Sequence, residues 1–246
     1  MPKLRNGSVT IVCVTGVNAM AALKSLIISS LRFKSQQVLF VNVWLPNFKL
    51  GKYRFERPIN SKLDSIEEYG KYVQFKLWKH IQTDFVLIVQ ADGWVLNGRR
   101  WEKAFTEYDY IGAPWPISKT AYIDPQGVHQ RVGNGGFSLR SFKLLKLGEE
   151  LDLVWDVTRH SEFKHFNAKP LAEDGNICVH NRKRYESAGC RFAPLEIAAR
   201  FSRELPINEF PNPKTFGFHC YHPNQLLTKI RVIDFLRNLK KRMYKS

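Results

Sequence analysis

Three continuous runs of apolar, mostly β-branched residues constrain this chain more than any other feature: Ser8-Val-Thr-Ile-Val-Cys-Val-Thr15, Val38-Leu-Phe-Val-Asn-Val43 and Phe85-Val-Leu-Ile-Val89. None of them alternates apolar with polar, so each calls for cover on both faces, which is the situation of a strand inside a parallel sheet. The segments between them have helical spacing instead. Ala19, Leu23, Leu26 or Ile27, and Leu31 share one face after a turn at Gly16, and Ile66, Tyr69, Val73, Leu77 and Ile81 share another. The order strand, helix, strand, helix, strand predicts an α/β fold with a mostly parallel, Rossmann-like central sheet flanked by helices. Further along, the pattern predicts a basic, aromatic loop over 44–57, a short helix over 99–108, a strand near 110–113 and a long loop over 114–130. A helix that begins at Ser141 carries Phe142, Leu144, Leu145 and Leu147.

No internal repeat or low-complexity linker divides the sequence, so one domain over residues 1–224 is expected, followed by a basic amphipathic helix over 225–246. In that tail Leu226, Leu227, Ile230, Ile233, Leu236 and Leu239 recur at helical spacing, while Lys229, Arg231, Arg237, Lys240, Lys241, Arg242 and Lys245 supply charge. Such a stripe suits an anionic membrane surface or the flank of the domain itself. No stretch approaches the roughly 20 apolar residues that a spanning helix needs, and the first residues are polar rather than a signal core. A cytoplasmic location, or one at the inner face of a membrane, is therefore expected. Cys13, Cys178, Cys190 and Cys220 are too scattered for a disulfide framework and form no C-x-x-C pair. A net charge of +16 attracts phosphate esters, anionic lipid and nucleic acid alike. Because the basic residues are dispersed and no nucleic-acid recognition motif is present, no nucleic-acid partner is expected.

Polar residues at the carboxyl end of a buried strand are where ligand chemistry gathers in open α/β sheets. Gln90-Ala-Asp92-Gly93 follows the third run, and Asp92 there can face a diphosphate through a divalent cation; an ordinary Asp-Gly turn is the plain alternative. Gly133-Asn134-Gly135-Gly136 lets the backbone approach a ligand closely or adopt left-handed torsions, or else makes a tight turn before a strand. It is not a dinucleotide fingerprint, which must follow a strand and open a helix. Glu173-Asp174 begins a short helical segment, where acids also serve as first-turn charges. His219, in Phe216-Gly-Phe-His219, reads as a ligand or as a satisfied core histidine.

Together, Phe85-Val-Leu-Ile-Val-Gln-Ala-Asp-Gly93, Tyr108-Asp-Tyr-Ile-Gly-Ala-Pro-Trp-Pro116, Val132-Gly-Asn-Gly-Gly-Phe-Ser-Leu-Arg-Ser141, Glu173-Asp174 and Phe216-Gly-Phe-His219 resemble a bacterial and viral family of uncharacterised, glycosyltransferase-like proteins of the GT-A superfamily. The resemblance runs from about Val9 to His222. It implies a GT-A-like fold and a glycosyltransferase that moves a sugar from a nucleotide-diphosphate donor to a glycan or lipid-linked acceptor, with inversion. The implied metal ligands for Mn2+ or Mg2+ are Asp92 and His219, with His222 as a substitute. Gln90 stands where such enzymes carry the first acid of an Asp-x-Asp signature. Asp174 is implied as the base with Glu173 beside it, and Thr15, Gly16, Gln90, Gly133, Asn134, Gly135 and Gly136 as substrate contacts. The Gln90 departure keeps a second reading open, a relative that binds a nucleotide sugar or glycan without turning it over.

Overall fold

The structure is a computed structural model and describes residues 7–118, 122–153, 155 and 172–220. The expected helix over 225–246 and the alternative ligand His222 lie outside the described residues. Strand β1 (Val9–Thr15), helix α1 (Ala19–Arg32), β2 (Gln37–Asn42), α2 (Ile66–Phe75) and β5 (Phe85–Val89) form the predicted frame. Between β2 and α2 lie β3 (Phe48–Leu50) and β4 (Tyr53–Glu56). The two-residue period of a strand sorts the core into layers. Val9, Ile11 and Cys13 of β1 pack with Ala22, Leu23, Leu26 and Ile27 of α1, whereas Val12 and Val14 pack with Tyr72 and Val73 of α2. In β5, Leu87 and Val89 join the first layer and Val86 and Ile88 the second. Burial of each such side chain contributes roughly 1.5–3 kcal/mol, which is why the runs are continuously apolar.

The seven-stranded sheet has the order β3-β4-β2-β1-β5-β8-β7, completed by β7 (Tyr110–Ile111) and β8 (Phe137–Ser141). Its centre, β4-β2-β1-β5, is parallel; β3, β8 and β7 add antiparallel edges, so the sheet is mixed. The stretch expected as a loop over 44–57 is corrected by β3 and β4, a hairpin turned at Gly51 with φ 57° and stapled by Phe48 stacked on Phe55 at 4.2 Å. Strands this short, with partly exposed residues, leave no apolar run to read. The helix expected over 99–108 is instead two single 3-10 turns, Gly98–Arg100 and Lys103–Glu107. Between them Trp101 turns inward onto Phe33, 4.6 Å between ring centroids. The α2 period, which in the sequence extends to Ile81, breaks after Phe75, and the chain continues as a 3-10 turn over Leu77–His80.

Helix α3 (Phe142–Glu150) starts where expected, its first turn capped by Ser141 Oγ accepting from the Leu144 N–H at 3.0 Å. A short α4 (Glu173–Gly175) runs into a π-helical turn, Asn176–His180, and then α5 (Arg182–Ser187) and α6 (Leu195–Phe201). A second, three-stranded sheet joins β6 (Trp94–Val95), β10 (Gly217–Phe218) and β9 (Ser202–Arg203), in the order β6-β10-β9. Its strands have two residues each, yet it fixes the site described next. Among the described residues no helix is long and apolar enough to cross a membrane.

Candidate functional site

A cavity of about 490 Å3 opens beyond the carboxyl ends of β1 and β5. The chain leaves β1 toward β2 on one side and β5 lies on the other, the kind of crevice at which open α/β sheets bind ligands. Thr15, Gly16, Gln90, Asp92, Asn134, Gly135, Gly136, Glu173, Asp174 and His219 all line it. Gly133 does not. A side chain at Gly133 would overlap the indole of Trp115, so its close approach serves packing. The left-handed residue of the glycine run is Asn134, with φ 66°. Gly135 and Gly136 bring backbone against side chains: a Cβ at Gly135 would overlap the Glu173 carboxylate, and one at Gly136 the His219 imidazole. Thr15 closes the turn after β1, its Oγ1 accepting from the Val17 N–H at 3.1 Å.

The small sheet assembles one wall. Antiparallel pairing of Phe218 with Trp94 sets the residues after β10 beside those before β6. The Cys220 N–H donates to the Asp92 carbonyl at 3.2 Å, and the His219 N–H to the Arg203 carbonyl at 3.0 Å. His219 Nε2 then lies 3.2 Å from Asp92 Oδ1 and 3.1 Å from Gln90 Oε1, and Nδ1 lies 3.3 Å from Glu204 Oε1. Gln90 also donates from Nε2 to Tyr69 Oη at 2.7 Å. Its amide thus braces the imidazole between two layers of the protein, a positioning task that an acid would do at the expense of a second buried charge. The Cys220 thiol reaches Asp92 Oδ2 at 3.2 Å. Asp92, His219 and Cys220 each turn one ligand-type atom into a space where those atoms lie within 4.8 Å of one another. The donors therefore fit a divalent cation.

Electrostatics at this wall favour charge separation. The His219 hydrogen bond holds the Asp92 carboxyl down at about 2, against the opposing effect of burial. Burial would lower His219, but hydrogen bonds to Asp92, Cys220 and Glu204 outweigh it and hold the imidazolium up to about 12. Without a bound cation the imidazolium bridges Asp92 and Glu204, with the Asn134 amide also 3.2 Å from Nδ1, and a cation taken up at Nε2 displaces the proton held there. Glu204 was invisible to sequence reasoning: it follows β9 in a segment with no motif of its own, and only strand pairing with β10 brings it to His219.

The opposite wall holds the acid pair. Arg140, fully buried in β8, donates from Nη2 to Glu173 Oε1 at 2.8 Å and from Nε to Ser138 Oγ at 3.1 Å. Its guanidinium also lies 5.1 Å from the centre of the Tyr110 ring. Glu173 is thereby committed to a buried ion pair. Asp174 makes no such pair and keeps an opening to the cavity; its Oδ2 accepts from the Gly135 N–H at 3.1 Å and its Oδ1 from the Gly175 N–H at 2.8 Å. Burial first, and then the neighbouring Glu173 charge, push the Asp174 carboxyl up to about 6 in spite of these donors. A carboxylate poised near neutrality suits proton transfer. Arg140 is the other residue sequence reasoning passed over, because an arginine inside an apolar strand reads as an ordinary edge residue.

Residues 52–219 match the family described as "Protein of unknown function (DUF5672)". The chain belongs to that family. No curated protein matches the sequence. Two solved structures of a galactosyltransferase, LgtC, share the fold. The LgtC complex with donor and acceptor sugar analogues is 12% identical, with a TM-score of 0.51, covering 87% of each chain. An active-site mutant of LgtC is 13% identical, with a TM-score of 0.53, covering 95% of each chain. The central sheet flanked by helices is therefore that of GT-A glycosyltransferases.

Proposed function

We propose that the protein is a glycosyltransferase that moves a sugar from a nucleotide-diphosphate donor to a hydroxyl of a glycan or lipid-linked acceptor. One observation carries this reading: a cation-fitting cluster, Asp92 and His219, and a carboxylate raised toward neutrality, Asp174, line the same cavity from different chain segments. Transfer with a displaced diphosphate needs charge compensation on one side of the sugar and a proton acceptor on the other. The sugar-analogue complex of a galactosyltransferase with this fold supports the substrate class.

In this reading Asp174 takes the acceptor hydroxyl's proton as the new glycosidic bond forms, while the Gly135 and Gly175 N–H groups hold its two oxygens in place. Glu173, tied to Arg140, keeps the pair rigid and raises the basicity of its neighbour. Asp92 and His219 bind the divalent cation, which when bound supplies positive charge to the leaving diphosphate. Gln90 and Glu204 fix the imidazole from opposite sides. Thr15 and Gly16 border the nucleotide. A base on the acceptor side gives a single displacement with inversion at the anomeric carbon.

The test is a thermal-shift panel of nucleoside diphosphates and their sugars, with and without divalent cations. Ligand at about 100 times its Kd adds about 2.7 kcal/mol of apparent stability. A cation-dependent shift with one nucleotide sugar, followed by its turnover in wild type and not in Asp92→Asn, is the expected result. Binding without hydrolysis or transfer of any donor would favour a non-catalytic binder, and no response to the panel would remove the reading.

A further inference from the structure

We infer that Cys220 is a third protein ligand of the cation at Asp92 and His219, making an oxygen, nitrogen and sulfur centre that selects thiophilic ions such as Zn2+ over Mg2+. The inference rests on the proposed reading that this cavity takes a divalent cation, and it goes further in fixing the ligand set and the class of ion.

Spacing comes first. Tetrahedral zinc with bonds of about 2.0–2.2 Å to oxygen and nitrogen and about 2.3 Å to sulfur separates its ligands by about 3.4 Å for oxygen to nitrogen and about 3.5–3.6 Å for pairs with sulfur. The three edges here are 3.2 Å from Asp92 Oδ1 to His219 Nε2, 3.2 Å from Asp92 Oδ2 to Cys220 Sγ, and 3.7 Å from Cys220 Sγ to His219 Nε2. Two edges end on different oxygens of Asp92, so a modest turn of that carboxylate presents one of them to the ion. Octahedral magnesium, at about 2.0–2.1 Å from each oxygen, asks for a tighter and all-oxygen shell.

Orientation and charge agree with this. His219 Nε2 faces the cluster while Nδ1 faces Glu204 at 3.3 Å, the arrangement in which a carboxylate accepts from a metal-bound imidazole and fixes its tautomer. Of the other polar groups against the imidazole, Gln90 and Asn134 are uncharged amides, and the Glu204 carboxylate lies on the Nδ1 side of the ring, away from the cluster. Among the described residues Asp92 is the only carboxylate of the cluster itself, so a Cys220 thiolate supplies the second negative charge that balances a divalent ion. Cys220 holds a left-handed backbone, φ 52°, which non-glycine residues adopt at a cost, and this conformation goes with the thiol turned back onto Asp92. The thiol proton leaves as the sulfur–metal bond forms. Cys13 borders the same cavity but is buried and outside the cluster, as are Cys178 and Cys190.

The test uses Co2+ as a spectroscopic probe on the full chain, with Zn2+ and Mg2+ as competitors. Wild type is expected to show a sulfur-to-cobalt charge-transfer band, displaced by Zn2+ and not by comparable Mg2+. Cys220→Ser should lose that band and bind Co2+ at least about tenfold more weakly, a loss of the size that perturbed metal-ligand shells show. Since Cys220 is exposed, the variant should unfold at the wild-type temperature, which circular dichroism checks. Co2+ bound with no sulfur band, or with the band intact in Cys220→Ser, would overturn the assignment and leave the cation reading standing. Failure of wild type to bind either Co2+ or Zn2+ would overturn both.

Discussion

Replacing Arg140 by methionine tests how the acid wall is built. The guanidinium is fully buried and the Glu173 side chain only 6% exposed, with 2.8 Å between Nη2 and Oε1. Arg140→Met would leave the Glu173 carboxylate buried beside Asp174 without a counter-charge, and removal of one partner from a buried pair costs about 3–5 kcal/mol. A domain has only about 5–15 kcal/mol in total, so the variant should unfold at much lower urea. The double variant Arg140→Met/Glu173→Gln removes the stranded charge and should return to within about 1–2 kcal/mol of wild type, since hydrophobic replacement of a buried pair is often neutral. Urea unfolding of the three proteins at about pH 7.5 reads both effects. A single variant as stable as wild type, or a double variant no more stable than the single, would refute the reasoning.

Other outcomes follow from the same geometry. Asp174→Asn should lower turnover by about 100-fold or more with donor affinity within a few-fold, and equal turnover would remove the base. Because Asp174 must be ionised to accept a proton and is held up to about 6, wild-type turnover should be present above that value and fall as pH drops through it. Glu173→Gln should move this acid limb to lower pH, and an unmoved limb would separate Glu173 from the base. Gly136→Ala should push the imidazole of His219 off Asp92, since its Cβ would overlap the ring, so the cation-dependent thermal shift should vanish while the apo protein still folds; a retained shift would show that His219 is dispensable. For the tail over 225–246, the membrane-surface reading of its stripe expects the full chain to bind anionic vesicles at low salt and a chain ending near Pro223 to lose that binding, and equal binding by both would leave only the reading in which the stripe packs on the domain.

The sequence by itself determined the frame. β1, β2 and β5 are buried on both faces, so their solvent-free environment is written into every residue, and the helices between them have a single period to satisfy. It also set Asp92 at a strand's end and made Gly135 and Gly136 small where side chains crowd the backbone. What it could not specify was which distant segments meet. The strands that place His219, Cys220 and Glu204 next to Asp92 have two residues each, too few for any period, and exist only because the rest of the fold holds them in register. The β3–β4 hairpin is hidden for a related reason, as short, partly exposed strands near the sheet's edge carry a mixed pattern. Arg140 shows the limit most clearly: its meaning depends on Glu173, 33 residues away, since a guanidinium inside a core is tolerable only when a carboxylate from elsewhere arrives to neutralise it.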